Sequence, residues 1–390
     1  MPDSGTEIAI SAPTVFDGEH FLSNHCVIVR QQTVAQLLPL VDCPPGMTTL
    51  ALESGTLAPG LIDLQVNGGG DILFNNAPSE TSLATMLAAH RANGTTSMLP
   101  TLISDTREQG ERAVLAVRTA RAGGNHGILG IHLEGPFFEP ARRGAHRADL
   151  LRQPEAADIS WLCSLQDSLQ GMAILVTLAP EHCQALQIRR LSEHGILVCA
   201  GHSNASHEQM LAALAEGLQG VTHLFNAMSQ MTGRAPGIVG TALEEDALWA
   251  GIIADGHHVH PTNIRHAFRS KPKGRLVLVS DAMATVGGKL GAFTLYNEEI
   301  TESGGKLVNA DGALAGSAIG MIDAVRYAHS TVALPLDECL RMASLYPAAI
   351  LGLDDQLGRI APGYRADLVH FDPQFKVHNT WLAGQHSEHS

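Results

Sequence analysis

A closed (β/α)8 barrel of the α/β class (a TIM barrel), carrying a small β-sandwich unit built from both chain ends, is the fold this sequence predicts. Three observations carry it. Strand-like and helix-like segments alternate through the middle of the chain. Short apolar runs without helical period occupy both ends. Chemistry-bearing polar residues fall at the ends of the strand-like runs, where a barrel of this kind puts its active site.

The first ~57 residues hold runs such as Cys26-Val27-Ile28-Val29 and Leu50-Ala51-Leu52 between turn residues, which reads as strands. In the middle, eight candidate strands end at Asn67, Thr101, Glu134, Ala179, His202, His223, Ala254 and Asp281. Amphipathic stretches lie between them. Leu83, Met86, Leu87 and His90 repeat at helical spacing. Ser206 with Gln209 forms a capping-box pattern for a helix that stops near Gly217. A β-rich segment, 287–316, reads as an insertion after the eighth strand. Beyond it, Leu357-Gly358-Arg359-Ile360 and Ala366-Asp367-Leu368-Val369-His370-Phe371 read as strands, and His386, His389 and their serine neighbours as a frayed tail. The predicted division is a discontinuous β unit, 1–57 with 355–390, around a catalytic barrel, 58–354.

Bulk properties narrow the function classes. The 390 residues are 45% hydrophobic and 16% charged, with net charge −14. An acidic surface opposes broad binding to nucleic acid or anionic membranes, while a few local cations can still hold a small anion. The cysteines, Cys26, Cys43, Cys163, Cys183, Cys199 and Cys339, form no CxxC pair and read as reduced core thiols. Met1-Pro2-Asp3-Ser4-Gly5 lacks a basic leader region and no apolar run has membrane-spanning length, so a cytoplasmic location is expected.

At the strand ends stand Glu134, His202, His223 and Asp281. Two imidazoles and a carboxylate suffice to hold one catalytic divalent ion with a position left for water; a further carboxylate can then act as base. Each residue alone means little, but four at four strand ends point to a metal site. On the first strand Asp63, Gln65 and Asn67 share one face by the period of two. Amides are poor ligands for a transition metal, so one ion is expected rather than two. The glycines Gly68-Gly69-Gly70 read as a tight turn. Arg142, Arg143 and Arg147 form a basic cluster that either draws in an anion or is a solvated loop.

Pro59-Gly60-Leu61-Ile62-Asp63 with Gln65 and Asn67, His132-Leu133-Glu134-Gly135-Pro136, Gly201-His202-Ser203, Thr222-His223-Leu224-Phe225-Asn226-Ala227-Met228 and Asp255-Gly256-His257-His258-Val259 together resemble the N-acetylglucosamine-6-phosphate deacetylases. Gly358-Arg359-Ile360-Ala361-Pro362-Gly363 with Ala366-Asp367-Leu368-Val369 resembles the wider amidohydrolase superfamily. The resemblance implies Glu134, His202 and His223 as metal ligands, Asp281 as general base and acid, and His146 as the group polarising the acetyl carbonyl. It implies substrate contacts from Ala145, His146, Asn226, Ala227, Arg234, His258, Leu314, Ala315 and Gly316, with His257 beside His258 as an alternative. The implied cofactor is one divalent ion per subunit. Zinc suits the ligands, and Fe2+, Co2+ or Mn2+ could occupy the same set. The implied partners are a small amino-sugar phosphate and a second copy of the chain, a homodimer in which Arg234 reaches the neighbouring site. Alternatives stay open: N-acetylgalactosamine 6-phosphate as substrate, another mononuclear amidohydrolase, a non-haem iron oxygenase built on two histidines and a carboxylate, or a silent sugar-phosphate binder.

Overall fold

A computed structural model describes residues 7–309, 312 and 314–389. The first five residues, read above as no leader, Ser390 of the tail, and part of the 287–316 insertion lie outside the described residues. Eight parallel strands form one sheet in chain order: Leu61–Val66, Thr95–Ile103, Gly130–Glu134, Ala173–Leu178, Leu197–Ala200, Gly220–Val221, Trp249–Ile252 and Leu276–Leu278. Their near-continuous apolar character is what a parallel sheet buried on both faces requires. The intervening helices bury one stripe each. In Glu80–Arg91 the buried set includes Leu83, Met86, Leu87 and His90, and the Ser79 side chain accepts from the Ser82 amide. The Ser206–Gln209 capping box opens His207–Ala215.

The eighth strand stops short of a regular ladder with the first, and the seam is closed by polar contacts. Val66 and Ala282 form a single bridge, and the amides of Asn67 and Gly68 donate to the Ala282 carbonyl at 2.8 and 3.0 Å. Asp63 accepts from the Ser280 amide at 3.2 Å and from the Ser280 hydroxyl. Asp63 is fully buried, and burial pushes its carboxyl up to about 7 against the opposing hydrogen bonds from Ser280 and Gln65. A carboxyl raised by folding binds its proton more tightly in the native state. Its stabilising contribution is therefore present below about pH 4 and lost as pH rises through about 7. Asp63→Asn, which mimics the protonated form, should gain stability relative to wild type by on the order of 3 kcal/mol between pH 4 and 8. Urea unfolding of the pair across that range would show a constant difference if the seam carboxyl does not titrate there.

The terminal strands make a second sheet. Glu7–Phe16, Phe21–Arg30, Thr33–Pro39, Thr49–Ala51 and Thr56–Pro59 join Leu368–Phe371, Val377–Leu382 and Gln385–Glu388. The sheet folds over its own core of Ile10, Val15, Val27, Leu57, Leu368 and Trp381. The Thr33–Arg365 bridge and the Val34 amide, donating to the Tyr364 carbonyl at 2.8 Å, tie its far edge to the C-terminal segment.

Two expectations are corrected here. Leu357-Gly358-Arg359-Ile360 is a turn, not a strand: Gly358 has φ 83° and lies so close to Leu345 that a Cβ would meet its Cα at 2.6 Å. The tail is not frayed. Gln385–Glu388 pairs with Val377–Leu382 across a tight turn at Ala383 and Gly384, both left-handed (φ 47° and 77°). His386 stacks on Trp381 with centroids 4.9 Å apart and bonds to Asn379.

The segment after the eighth barrel strand forms a four-stranded antiparallel sheet, Ala292–Leu295, Glu298–Ser303, Lys306–Val308 and Leu314–Ser317. Its apolar core contains Leu295, Ile300, Leu307 and Ala315 and takes in Ile103 and Met283 from the barrel mouth. Among the described residues no helix is long and apolar enough to cross a membrane.

Candidate active site

The barrel strands deliver their polar residues to one cavity of about 200 Å3 at the C-terminal mouth. Glu134 is the last residue of its strand, but His202, His223 and Asp281 stand two to three residues past theirs. All three have left-handed backbones, with φ of 49°, 34° and 53°. Histidine and aspartate tolerate that region better than most residues, and here it turns the side chains back over the barrel axis.

Three donor atoms converge. The Nε2 atoms of His202 and His223 are 3.0 Å apart. Glu134 Oε1 lies 3.4 Å from the first and 3.1 Å from the second. Donors about 2.0–2.1 Å from an ion at tetrahedral angles stand roughly 3.3 Å from one another, so this triangle has the dimensions of a metal face. His202 Nδ1 donates to the Arg142 carbonyl at 2.8 Å, which leaves Nε2 as a bare lone pair. Glu134 is fully buried, yet its carboxyl is held well below its usual range, the cost of burial being outweighed by His202 and His223. The donor set fits a divalent cation.

His146 also approaches Glu134 and His202 closely enough to be considered a ligand. Its hydrogen bonds argue otherwise. The Ser104 amide, which can only donate, reaches His146 Nδ1 at 3.2 Å, with the Ser104 hydroxyl at 2.8 Å. Nδ1 is thus an acceptor, and the proton of the neutral ring sits on Nε2. Burial first, then His202, pushes this imidazole well below its ordinary value, so it stays neutral. A neutral ring with Nε2–H is a hydrogen-bond donor suited to a carbonyl oxygen that gains charge.

The first-strand amides occupy the opposite side. Gln65 Nε2 donates to both oxygens of Glu134 (3.2 and 3.3 Å) and to Asp281 Oδ1 at 3.0 Å. Asn67 Nδ2 donates to the same Asp281 oxygen at 2.7 Å. An uncharged NH2 group therefore lies between two carboxylates, where a second cation would have to sit. Burial and the neighbouring Glu134 raise the Asp281 carboxyl to about 6, opposed by His223, His258 and Asn67.

The remaining predicted residues divide. Ala145, Asn226, Ala227, His258, Leu314 and Gly316 line the same cavity. His258 lines it and His257 does not, and Asp255 fixes the His258 ring by accepting from Nδ1 at 2.6 Å. Ala315 lines an adjoining cavity instead. Arg234 is exposed on a loop and does not line the cavity of its own chain. Ser104, Asp255, Ile103 and Met283 were not anticipated. Ser104 acts on His146, 42 residues on, which no local pattern signals, whereas Asp255 holds His258 only three residues away, within a segment quoted above for its resemblance.

The chain matches the amidohydrolase family over residues 56–386. It is 42% identical to an N-acetylgalactosamine-6-phosphate deacetylase of Shewanella sp. (strain ANA-3), over 86% of this chain and 84% of that one. It is 35% identical to an N-acetylglucosamine-6-phosphate deacetylase of Haemophilus influenzae, over 94% and 96%. The crystal structure of N-acetylglucosamine-6-phosphate deacetylase from Pasteurella multocida superimposes with TM-score 0.94 at 34% identity, covering 98% of this chain and 100% of that one. On its sequence, its barrel and the convergence at the barrel mouth, the chain belongs to the amidohydrolase family, on the branch that holds these amino-sugar phosphate deacetylases.

Proposed function

We propose that this enzyme hydrolyses the N-acetyl amide of N-acetylglucosamine 6-phosphate, giving acetate and glucosamine 6-phosphate. The observation that carries the reading is the donor triangle of Glu134, His202 and His223 with Asp281 across a shared amide. A divalent ion held by that triangle, most suitably zinc, supplies an acidified water and pulls on a carbonyl oxygen when bound. Asp281 takes the proton of the attacking water and later delivers it to the departing amine, serving as base and then acid. His146 Nε2–H donates to the carbonyl oxygen as negative charge grows there. Asn226, Ala227 and His258, with Arg234, bind the sugar phosphate, and Ala145, Leu314 and Gly316 contact the substrate from the same cavity wall. One ion suffices, because Gln65 already bridges the two carboxylates.

The 42%-identical Shewanella relative supports a second reading, the galacto epimer as substrate. Acetate release measured on both 6-phosphates decides between them, and release from neither would end the deacetylase assignment.

The same reading makes the chain a cytoplasmic homodimer in which Arg234 completes the neighbour's phosphate site. Its exposure on a loop away from its own cavity supports this. Arg234→Ala should raise KM by about tenfold or more and leave metal content unchanged, since phosphate binding positions the substrate without entering the chemistry. Mixing Arg234→Ala with Asp281→Asn chains should restore part of the activity. Absence of any recovery in a verified mixed dimer would place Arg234 in its own subunit's site. The division into a barrel, 58–354, and a terminal β unit, 1–57 with 355–390, belongs to this proposal and is supported by the smaller apolar core, whose buried members all come from the terminal segments.

A further inference from the structure

The proposed chemistry leaves Asn67 Oδ1, a buried atom at the barrel mouth, without an assigned partner. Asn67 is 1% exposed and lines the substrate cavity, yet its side-chain oxygen Oδ1 has no hydrogen-bond donor among the described residues. The orientation of this amide is fixed. Its nitrogen donates to Asp281 Oδ1 at 2.7 Å, and turning the group over would set its oxygen against that carboxylate. The backbone is equally constrained: the Asn67 amide donates to the Ala282 carbonyl, and the Asn67 carbonyl accepts from Phe74, each at 2.8 Å. A buried amide oxygen is costly unless something supplies a hydrogen.

Asp281 shows where that hydrogen comes from. Its Oδ1 already accepts two amide donors, Asn67 Nδ2 and Gln65 Nε2. No protein donor among the described residues is bonded to Oδ2, so Oδ2 is the oxygen that exchanges the proton. The nitrogen that receives the proton must lie beside Oδ2, and hence beside the Asn67 side chain that holds the other carboxylate oxygen. A secondary amide brings an N–H to that place. We propose that Asn67 Oδ1 accepts the N–H of the scissile amide, so that one side chain fixes both the base and the nitrogen it protonates. This rests on the deacetylase reading and extends it to what the site selects. As water adds and the C–N bond breaks, its electron pair stays on nitrogen, which takes the proton from Asp281. Protonation precedes cleavage, so at the point where the C–N bond breaks the nitrogen is ammonium-like and its N–H groups donate more strongly than those of the amide; the bond to Asn67 is therefore strongest there, before the neutral amine is released. The site thereby favours N-acetyl compounds bearing N–H over the oxygen ester that lacks it.

The experiment compares acetate release from N-acetylglucosamine 6-phosphate with release from its analogue in which an ester oxygen replaces the N–H. Asn67→Leu should lower kcat on the amide by about 100-fold beyond any loss on the ester, in line with removal of a transition-state hydrogen bond. Asn67→Asp keeps an oxygen facing the nitrogen and should hold the amide-to-ester ratio within about threefold of wild type, even if both rates fall. If Asn67→Leu does not fold, Asn67→Ser, too short to reach either partner, replaces it. Metal content and thermal midpoint verify that each variant is intact. Equal losses on amide and ester would overturn the inference and leave Asn67 as a support for Asp281 alone. A wild-type enzyme that releases no acetate from the amide would instead overturn the deacetylase reading, and this inference with it.

Discussion

Asp281→Asn is expected to lower kcat by about a thousandfold or more while metal content and substrate affinity stay near wild type. The substitution keeps the shape of the side chain but removes its capacity to take a proton. Gln65 and Asn67 would still donate to its side-chain oxygen, with the NH2 group in the place of Oδ2. The pH profile gives an independent check. The base must be ionised to work, so kcat/KM should fall tenfold per pH unit below its pKa. Burial and Glu134 hold the carboxyl at about 6, and a cation bound beside it draws it lower, which places the acid limb at or below about pH 6. Near-normal turnover by the asparagine variant, or an acid limb well above pH 6, would move the role of base to another residue.

The second large effect concerns the donor triangle. Glu134→Gln and His223→Asn should each weaken metal binding by more than about 100-fold, beyond what loss of a supporting contact costs. Elemental analysis after exchange into metal-free buffer should find about one ion per wild-type chain and almost none in the variants. Glu134→Gln should be the more damaging. It removes the one negative charge of the triangle and also one of the two oxygens that accept from Gln65. A variant that retained a full complement of metal with full activity would exclude that side chain from the ligand set. His146 offers a contrast: because Ser104 fixes its proton on Nε2, changing it should reduce turnover and spare metal content.

Residue type and position were enough to single out Glu134, His202, His223 and Asp281 before any coordinates, since charged and imidazole groups at strand ends have few structural reasons to be there. What the pattern could not show is how far past the ladder they stand. His202, His223 and Asp281 adopt left-handed backbones, and nothing in Gly201-His202-Ser203 or Ser280-Asp281 signals that geometry. Partnerships were invisible for a related reason. The carbonyl that fixes the His202 tautomer belongs to Arg142, 60 residues earlier. Local patterns misled at Gly358, where an alternating run hides a turn. They misled again at Ala383-Gly384, where alanine in a left-handed position masks a hairpin. The barrel was legible because its periods are long and repeated, while the last strand is short, polar and stacked on a single tryptophan.

The pairing of Thr56–Pro59 with Leu368–Phe371 has a consequence for biosynthesis. The whole barrel is encoded between these two strands, so during translation the N-terminal strands leave the ribosome long before their neighbour exists. Until then one edge of Thr56–Pro59 is unsatisfied and open to intermolecular pairing. A nascent chain stalled before Leu368 would therefore aggregate through that edge even with its barrel already folded.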